Sequence, residues 1–379
     1  MSKINQRYDT NQSGGFCLIF PLNPATLFEL KRNFDGLRKG MAKIKKGVLL
    51  VNLGTPDDPS TKSVRRYLRE FLMDGRVIDI PYLNRWFLIN LIIAPIRGPK
   101  SAKEYQRLWD ERGSPLKYYG EDLVKLVSEK LDESYTVELA MRYQNPSIES
   151  ALNSLKKKNV EQLLIIPLFP QYASASTGSV IEEVNRIVSQ WQVVPELHYV
   201  NKFFDEDLFL KTIEERAAKW MKEKEYDHFV FSYHGLPERQ IMKAEIKSCQ
   251  LGDCCKNYGT HNAYCYRAQC FETTKLLAER LNIPEEKHTV SFQSRLGKTP
   301  WIKPYTDHLI DDLAKRGVKN VLAFSPAFIS DCLETTVEVA ETYKEQFIEG
   351  GGKSWDLVES LNDHPTWVDC VVEMIQKKV

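Results

Sequence analysis

The chain has 379 residues, of which 42% are hydrophobic and 27% are charged. This length suffices for about two buried cores, and the composition is that of a globular protein. The 52 lysines and arginines nearly balance the 51 aspartates and glutamates, which argues against a nucleic-acid partner because such proteins carry clustered positive charge.

Residues 1–45 form a polar, proline-interrupted segment that differs from the rest of the chain. Its apolar run CLIFPLNPATLF is too short to span a membrane. We expect a loosely ordered amino-terminal extension. Met41 begins MAKIKKGVLLVNLGTP, which continues directly into a predicted strand, so either Met1 or Met41 is a candidate start of translation.

Eight short apolar runs separated by helical patterns predict parallel strands with helices on both faces of the sheet. They occupy residues 47–55, 135–144, 160–172, 195–204, 226–236, 288–297, 319–331 and 355–363. The turns of the first four runs (LGTP, RYQNP, PLFPQYASASTGS) have counterparts in the last four (YHGLP, SRLGKTP, SPAFISDCLETT). This pseudo-repeat predicts an α/β fold of two Rossmann-like, doubly wound lobes, residues 46–205 and 206–379, with a final helix, WVDCVVEMIQKK, that packs back on the body.

Ligands of open parallel sheets bind at the carboxyl ends of the strands. The turns there predict one cleft, lined by Asn52, Thr55, Arg142, Tyr143, Tyr172, Ser176, Thr177, His234, Arg295, Trp301 and Glu334. The sequence contains no GxGxxG or GxxxxGK[ST] motif, so it does not support nucleotide binding.

His234 follows the apolar run FVFSY and precedes Gly235, which predicts an imidazole at the mouth of the cleft. A neutral imidazole there can accept a proton or bind a metal ion near neutral pH. The alternative is a histidine that only hydrogen-bonds to the next loop, and spacing alone leaves both open.

Glu334 lies in SDCLETTVEVAETYKEQF, where Ser330 or Asp331 is expected to cap a helix and Glu334 to complete a capping box. Helical spacing places Glu334, Glu338 and Glu341 on roughly one face. That face is either a solvated acidic surface or a route that carries protons out of the cleft or hard cations into it.

Five cysteines fall within 22 residues, CQLGDCCKNYGTHNAYCYRAQC, in an insertion at residues 245–270. In a chain without a recognisable secretory signal, this density favours metal ligation over a disulfide framework. Four thiolates in such a loop suit an iron–sulfur cluster or a structural zinc. The spacing C-x4-C-C-x9-C-x4-C matches neither the common zinc pairs nor a plant-type ferredoxin, and we favour the cluster.

Residues 79–97, DIPYLNRWFLINLIIAPIR, form an apolar stretch about half as long as a membrane span. It is predicted either as a buried core helix or as an exposed lip over the cleft. Such a lip would grip a flat apolar ligand and rest on a membrane surface.

VNLGTP, FPQYASASTG, FSYHGLPERQ, SFQSRLGKTPWIKPYTD and SPAFISDCLET occur in this order, and together they resemble the ferrochelatases over about residues 46–375. The resemblance implies two Rossmann-like lobes around a porphyrin cleft. It also implies a metal-ion chelatase, a lyase, that inserts Fe²⁺ into protoporphyrin IX in the last step of haem synthesis. His234 and Glu334 match the catalytic residues that meet the iron. Leu53, Arg142, Tyr143 and Trp301 match the porphyrin wall, with Arg142 a possible bidentate partner of a propionate.

The chain departs from the family pattern at its cysteines. Cys332 stands where some members have histidine, so a second histidine ligand is not expected. Animal members hold a [2Fe–2S] cluster through one cysteine after FPQY and three near the carboxyl terminus, where this chain has Ser174 and only Cys370. The inserted loop resembles a bacterial subclass with an internal cluster. That resemblance implies Cys249, Cys254, Cys255 and Cys265 as ligands of a [2Fe–2S] cluster, or of zinc as the alternative. Adjacent Cys254 and Cys255 would serve different irons, or Cys270 would be the fourth ligand.

Three other functions stay open at this stage: a chelatase for coproporphyrin, a cobalt or nickel chelatase for another tetrapyrrole, and a non-catalytic haem- or cluster-sensing protein. The presence of both His234 and Glu334 argues against the last. We expect a cytoplasmic protein with peripheral contact to the inner membrane face through residues 79–97. The sequence does not predict an oligomeric state.

Overall fold

The computed structural model describes residues 43–244, 249–295, 297 and 299–379. The predicted amino-terminal extension therefore lies outside the described residues except for its last three positions. Residues Ile44–Val379 form one compact unit.

In the described part of the chain, eight strands form two parallel four-stranded sheets, in the predicted segments. The first sheet contains β1 (Lys46–Gly54), β2 (Tyr135–Tyr143), β3 (Gln162–Pro167) and β4 (Glu196–Tyr199) in the order β2-β1-β3-β4. The second contains β5 (His228–His234), β6 (His288–Gln293), β7 (Asn320–Phe324) and β8 (Ser354–Leu357) in the order β6-β5-β7-β8. The shared order confirms the α/β fold and its pseudo-repeat, while a lobe boundary at residues 205–206 stays a prediction.

The helices that follow the strands of the first half are α1 (Thr61–Leu72), α2 (Tyr82–Phe87), α3 (Ala94–Leu108), α4 (Pro115–Lys130), α5 (Ile148–Lys157), α6 (Ser179–Val188) and α7 (Asp207–Glu223). Those of the second half are α8 (Glu238–Ala244), α9 (Tyr266–Arg280), α10 (Thr306–Lys315), α11 (Tyr343–Glu349) and α12 (Pro365–Lys378). Wider π-helices occupy Leu88–Ile93, Ser174–Gly178 and Leu333–Thr342. Such i→i+5 helices occur frequently at functional sites.

The strands are apolar on both faces because helices cover both sides of each sheet. Residues 48–51 of β1, for example, have no exposed surface. The final helix α12 packs against α7 and α4, and the fully buried ring of Trp367 lies against those of Phe203 and Phe209. Because a buried aromatic side chain contributes about 1.5–3 kcal/mol, these contacts hold the helix on the body, as the sequence predicts.

Candidate active site

His234 is the last residue of β5 and is half-buried. Its Nδ1 atom lies 2.7 Å from the carbonyl oxygen of Gly235. A carbonyl can only accept, so Nδ1 carries the proton and Nε2 of the neutral ring is an acceptor. The bond to the next loop, which was one alternative from the sequence, accounts for only one of the two nitrogens.

Trp301 is brought beside His234 by a chain segment that returns to the end of β5. The N–H of Ile302 donates to the carbonyl of Leu236 at 2.9 Å, and the indole and imidazole ring centres are 6.4 Å apart. A Cβ atom on Gly235 would lie 2.7 Å from the Gln293 carbonyl oxygen and 3.1 Å from the Trp301 ring. Glycine is therefore required for this close approach, which places a flat apolar wall next to the imidazole.

Glu334 is the second residue of the π-helix Leu333–Thr342, and the cap of that helix differs from the prediction. Cys332 is the cap: its N–H donates to Oγ1 of Thr335 at 2.9 Å, and its carbonyl accepts from the same hydroxyl at 3.1 Å. The prediction of Ser330 or Asp331 as cap, with Glu334 completing the capping box, is wrong. Thr335 replaces Glu334 in the box, so helix capping does not explain this carboxylate.

Glu338 lies four residues further along the π-helix, and its carboxylate accepts from the hydroxyls of Ser294 at 2.6 Å and Tyr343 at 2.9 Å. Burial raises the pKa of Glu338, the charge of Glu334 raises it further, and His234 opposes the shift. Glu334 and His234 therefore both lie close enough to Glu338 to influence its charge.

Glu341, the third member of the predicted acidic row, has a different partner. Its carboxylate pairs with Arg107 of α3, and both side chains are exposed. The structure thus brings Glu334 and Glu338 together but gives Glu341 a counter-charge from the first half of the chain.

Two tyrosines near Glu334 were missed in the sequence. They are Tyr67 of α1 and Tyr105 of α3, both buried. Burial raises the pKa of each hydroxyl and the charge of Glu334 raises it further, so both remain protonated. Their sequence signal is a place on the inner face of a helix, which is also typical of ordinary core residues.

Leu53 and Tyr143, both predicted wall residues, pack in one apolar cluster with Tyr67 and with Leu333 and Val337 of the π-helix. The ends of β1 and β2 are thereby placed beside the helix that carries Glu334. Contact of Leu53 and Tyr143 with a porphyrin stays a prediction.

Arg142 is engaged in a buried ion pair. Its Nη2 lies 2.9 Å from Oδ2 of Asp74, and its Nε donates to the hydroxyl of Ser179 at 2.7 Å. Tyr143 donates to the same Asp74 oxygen at 2.9 Å. A bidentate contact between Arg142 and a propionate would therefore require its remaining N–H groups or displacement of Asp74.

The other residues expected at this edge have varied surroundings. Asn52, Thr55 and Thr177 are buried. The guanidinium of Arg295 pairs with Asp307 of α10 at 3.0 Å, and the backbone N–H of Tyr172 donates to Gln269 of α9 at 2.7 Å. Ser176 lies in the π-helix Ser174–Gly178.

The cysteine loop places the sulfurs of several predicted ligands close together. The Sγ atoms of Cys254 and Cys255 are 3.8 Å apart, about the separation of two sulfurs on one tetrahedral metal with 2.3 Å bonds. This separation would have to widen if the two thiolates served different irons. The interaction with Cys265, together with burial, raises the pKa of the Cys255 thiol. The same interaction lowers the pKa of Cys265.

Cys249 belongs to the same group. Burial raises the pKa of its thiol, and the neighbouring Cys254 and Cys255 raise it further. Cys270 is fully buried, and its pKa is raised mainly by burial. Within the described ranges no three His, Cys, Asp or Glu side chains are already arranged as ligands of a metal ion, so the thiols would have to shift to bind one. The donor types and the contacts nevertheless suit a thiolate-bound group.

Residues 79–97 are mostly exposed, so the prediction of a buried core helix is wrong for this stretch. Among them Ile89 and Ala94 are buried. The exposed apolar surface, here called the lip, consists of Tyr82, Leu83, Trp86, Phe87, Leu91, Ile92 and Ile96, each at least 40% exposed. Across the described residues, no helix is long and apolar enough to cross a membrane.

Comparison with known proteins gives a consistent result. The family model described as ferrochelatase matches residues 45–379. A ferrochelatase of Coxiella burnetii (strain Dugway 5J108-111) is 44% identical over 340 residues, covering 88% of this chain and 94% of the relative. A ferrochelatase of Legionella pneumophila (strain Paris) is 42% identical over 338 residues, covering 89% and 100%. Among solved structures, SirB from Bacillus subtilis with Fe³⁺ is similar with a TM-score of 0.49 and 11% identity, covering 88% of this chain and 95% of that one.

Proposed function

Because this chain belongs to the ferrochelatase family, whose members insert Fe²⁺ into a porphyrin in haem synthesis, we propose that its porphyrin is protoporphyrin IX and that His234 and Glu334 carry out the chemistry. The observation that carries this proposal is the half-buried His234 at the end of β5, whose Nδ1 is held by the Gly235 carbonyl, together with the influence of both His234 and Glu334 on the pKa of Glu338. The enzyme is a metal-ion chelatase, and we assign it to the lyases.

His234 is the proposed base. Insertion of iron removes two N–H protons from the porphyrin, and each must pass to an acceptor. Because Nδ1 is held by the Gly235 carbonyl at 2.7 Å, Nε2 can take a pyrrole proton without a change of tautomer. A positioned imidazole contributes about 10²- to 10⁴-fold to such proton transfers.

Glu334 and Glu338 are the proposed proton relay and iron guide. Carboxylate oxygens bind hard divalent cations, and Glu334 is not used by its helix cap. The raised pKa of Glu338, caused first by burial, lets this carboxyl hold a proton at higher pH than an ordinary glutamate. The pair can therefore exchange protons between His234 and the solvent while Glu334 contacts the entering iron.

Trp301, Leu53, Arg142 and Tyr143 are the proposed walls of the porphyrin site. A metal reaches the centre of the macrocycle only if the ring bends and a pyrrole nitrogen leaves the plane. Walls that fit the bent ring better than the flat ring lower this barrier. The indole 6.4 Å from His234 is suited to press on one face of the macrocycle beside the base.

An insertion assay with purified protein, Fe²⁺ and either protoporphyrin IX or coproporphyrin, under anaerobic conditions, tests the assignment. We expect a higher kcat/KM with protoporphyrin IX. A higher kcat/KM with coproporphyrin would change the assigned substrate and leave the assigned reaction, Fe²⁺ insertion, unchanged. Faster turnover with Co²⁺ or Ni²⁺ would indicate another chelatase, and binding of haem without turnover would indicate a sensing protein.

We further propose that Cys249, Cys254, Cys255 and Cys265 hold a [2Fe–2S] cluster, with Cys270 as the alternative fourth ligand and zinc as the alternative metal. When bound, such a cluster supplies a one-electron redox centre and cross-links the loop. The support is the proximity of these thiols: the sulfurs of Cys254 and Cys255 are 3.8 Å apart, and Cys255 and Cys265 shift one another's pKa in opposite directions. Protein purified without oxygen should absorb visible light and release acid-labile sulfide. A colourless protein that contains zinc would reject the cluster.

The lip is the proposed contact with a membrane surface for a cytoplasmic enzyme. Its seven side chains, from Tyr82 to Ile96, are apolar or aromatic and exposed, and Arg85 lies within the same segment. The double substitution Leu83→Ser and Leu91→Ser should lower sedimentation with anionic phospholipid vesicles and leave turnover in detergent within about twofold. Unchanged sedimentation would reject the membrane contact.

A further inference from the structure

The carbonyl of His234, the last residue of β5, points to a side on which β5 is no longer paired with a strand. The N–H of Gly235 donates to the Gln293 carbonyl on the β6 side at 2.9 Å. Neighbouring residues of a strand direct their backbone groups to opposite sides, so the His234 carbonyl points away from β6. On that side β5 pairs with β7, but the register ends at Phe231 and Phe324, three residues short of His234.

Tyr266 satisfies this carbonyl. It is the first residue of α9, it is 7% exposed, and its hydroxyl donates to the His234 oxygen at 2.9 Å. The carbonyl of His234 and the N–H of Gly235 belong to one planar peptide unit. This unit is therefore held at both ends, by Tyr266 and by Gln293, immediately before the Gly235 carbonyl that binds Nδ1 of His234.

The same helix start is joined to the cysteine loop. Cys265 is the residue that caps α9, and its carbonyl accepts from the N–H of Gln269 at 3.0 Å. Asn262 organises the loop before it, with its amide donating to the carbonyls of Cys254 and Asn257 at 3.0 Å each. The loop and the His234 peptide are thus connected through the one-residue step from Cys265 to Tyr266.

Arg267 makes a parallel connection. Its guanidinium donates to the carbonyl of Gly252 in the loop at 3.1 Å and to the carbonyl of Lys303 at 3.3 Å. Lys303 lies two residues after Trp301. Two consecutive residues of α9 therefore link the cysteine loop to the site: Tyr266 bonds to the His234 carbonyl, and Arg267 bonds to the segment that carries Trp301.

We propose that Tyr266 is a positioning residue: its hydroxyl fixes the His234–Gly235 peptide so that the imidazole presents Nε2 to the porphyrin. Through the same hydrogen bond, the conformation of the cysteine loop influences the position of that imidazole. This inference rests on the proposed role of His234 as base. It does not require that the loop bind any particular metal.

The first test compares Tyr266→Phe with Tyr233→Phe in the full-length protein. Tyr233 is a matched control because it, too, is a buried tyrosine that links β5 to α9. It lies in β5, and its hydroxyl is 2.8 Å from that of Thr274 in α9. We expect Tyr266→Phe to lower kcat about three- to tenfold, the size of one hydrogen bond, with KM for porphyrin within twofold. Tyr233→Phe should keep the parent kcat even if both variants lose similar stability. Equal kcat losses in the two variants would overturn the proposal.

Nitrogen-15 spectra of histidine-labelled protein, without substrate, provide a readout independent of turnover. The parent should show the Nδ1-protonated form of His234, assigned with His234→Ala, and Tyr266→Phe should show a mixture of tautomers. An unchanged tautomer in Tyr266→Phe would overturn the proposal. If instead His234→Ala retained turnover, the base assignment would fail while these spectra still reported the link between Tyr266 and His234.

Coupling to the loop is tested with Asn262→Ala, which removes side-chain hydrogen bonds to Cys254, Asn257 and Gly259 of the loop and keeps the backbone carbonyl that accepts from Cys265. We expect it to shift the His234 signals in the parent and to add little in the Tyr266→Phe background, as in a coupled double-mutant cycle. Equal shifts in both backgrounds would show that the loop does not act through Tyr266.

Discussion

The carboxyl edges of the two sheets share a topology but pair their acidic groups in different ways. At the first edge the Asp74 carboxylate accepts from the Arg142 guanidinium and from the hydroxyls of Tyr143 and Ser179. At the second edge the Glu338 carboxylate accepts from Gln293, Ser294 and Tyr343, so its donors in the described part of the chain are neutral. The ionisable groups that influence its pKa include Glu334 and His234.

This difference gives the two carboxyl groups opposite pKa directions. Burial opposes ionisation of Asp74, but the hydrogen bonds from Ser179 and the Arg76 backbone and the charge of Arg142 outweigh it and lower the pKa. Burial dominates at Glu338 and raises the pKa. The first edge therefore stabilises the charged form of its carboxyl group, whereas burial at the second edge favours the protonated form of Glu338. The same architecture thus supports a structural role at the first edge and is compatible with the proposed chemistry at the second.

The largest expected effect separates the two edges directly. His234→Ala should lower kcat for Fe²⁺ insertion by about 10³-fold, because a general base contributes about 10²- to 10⁴-fold. Porphyrin affinity, measured by fluorescence titration, should stay within twofold, since Trp301 and the other walls remain. His198→Ala, at a histidine of the first sheet that pairs with Glu196, is the control and should keep the parent rate. Retained turnover in His234→Ala would refute its role as base.

Asp74→Ala, at the first edge, should lower the stability of the fold and leave turnover nearly unchanged. Removing one partner of a buried ion pair costs about 3–5 kcal/mol, and the Asp74 and Arg142 side chains are 7% and 17% exposed. We expect a loss of about 3 kcal/mol in the free energy of unfolding by urea, with kcat at 20 °C within about threefold. Asp122→Ala, which breaks the more exposed pair with Arg112, should cost less than about 1 kcal/mol. A large loss of kcat without a loss of stability would place Asp74 in the chemistry.

The sequence predicted the fold and the position of His234 because both depend on local patterns. Buried parallel strands are continuous apolar runs, and the end of such a run marks the binding edge. The run FVFSY ends at His234 in the structure, as predicted. The order of turns also predicted the repeat that both sheets display.

The surroundings of Glu334 could not be predicted in the same way. A capping box assumes α-helical geometry, whereas a π-helix with Cys332 as cap forms here and transfers the box to Thr335. The partners Tyr67 and Tyr105 come from helices more than 200 residues earlier in the chain. Their spacing is that of core residues, and only tertiary packing brings them to the carboxylate.

A smaller effect concerns the dependence of stability on pH. Because the folded pKa of Glu338 lies above its unfolded value of about 4.3, the associated stability is complete below that pH and is lost as pH rises through the folded pKa. Glu338→Gln mimics the protonated form, so the decline in unfolding free energy as pH rises above about 4.3 should diminish. The folded pKa of Asp74 is lowered, so the parent should lose unfolding free energy as pH falls through that pKa. Asp74→Asn should remove this loss. Identical pH profiles for the parent and Glu338→Gln would contradict the contrast.

The smallest expected effect is at Glu341, where the two halves meet. Its pairing with Arg107 is exposed, with 41% and 49% of the side chains accessible, and such pairs contribute about 0.2–1 kcal/mol. We expect a coupling energy in this range from the double-mutant cycle of Glu341→Gln and Arg107→Gln, and a loss of the coupling in 1 M salt. The kcat of Glu341→Gln should stay within twofold, since the carboxylate faces a cation of the first half and not Glu338. A tenfold loss of kcat in Glu341→Gln, but not in Arg107→Gln, would instead extend the proton path by one carboxylate. In that case the proposed proton path from Glu338 would continue to solvent through the whole predicted acidic row.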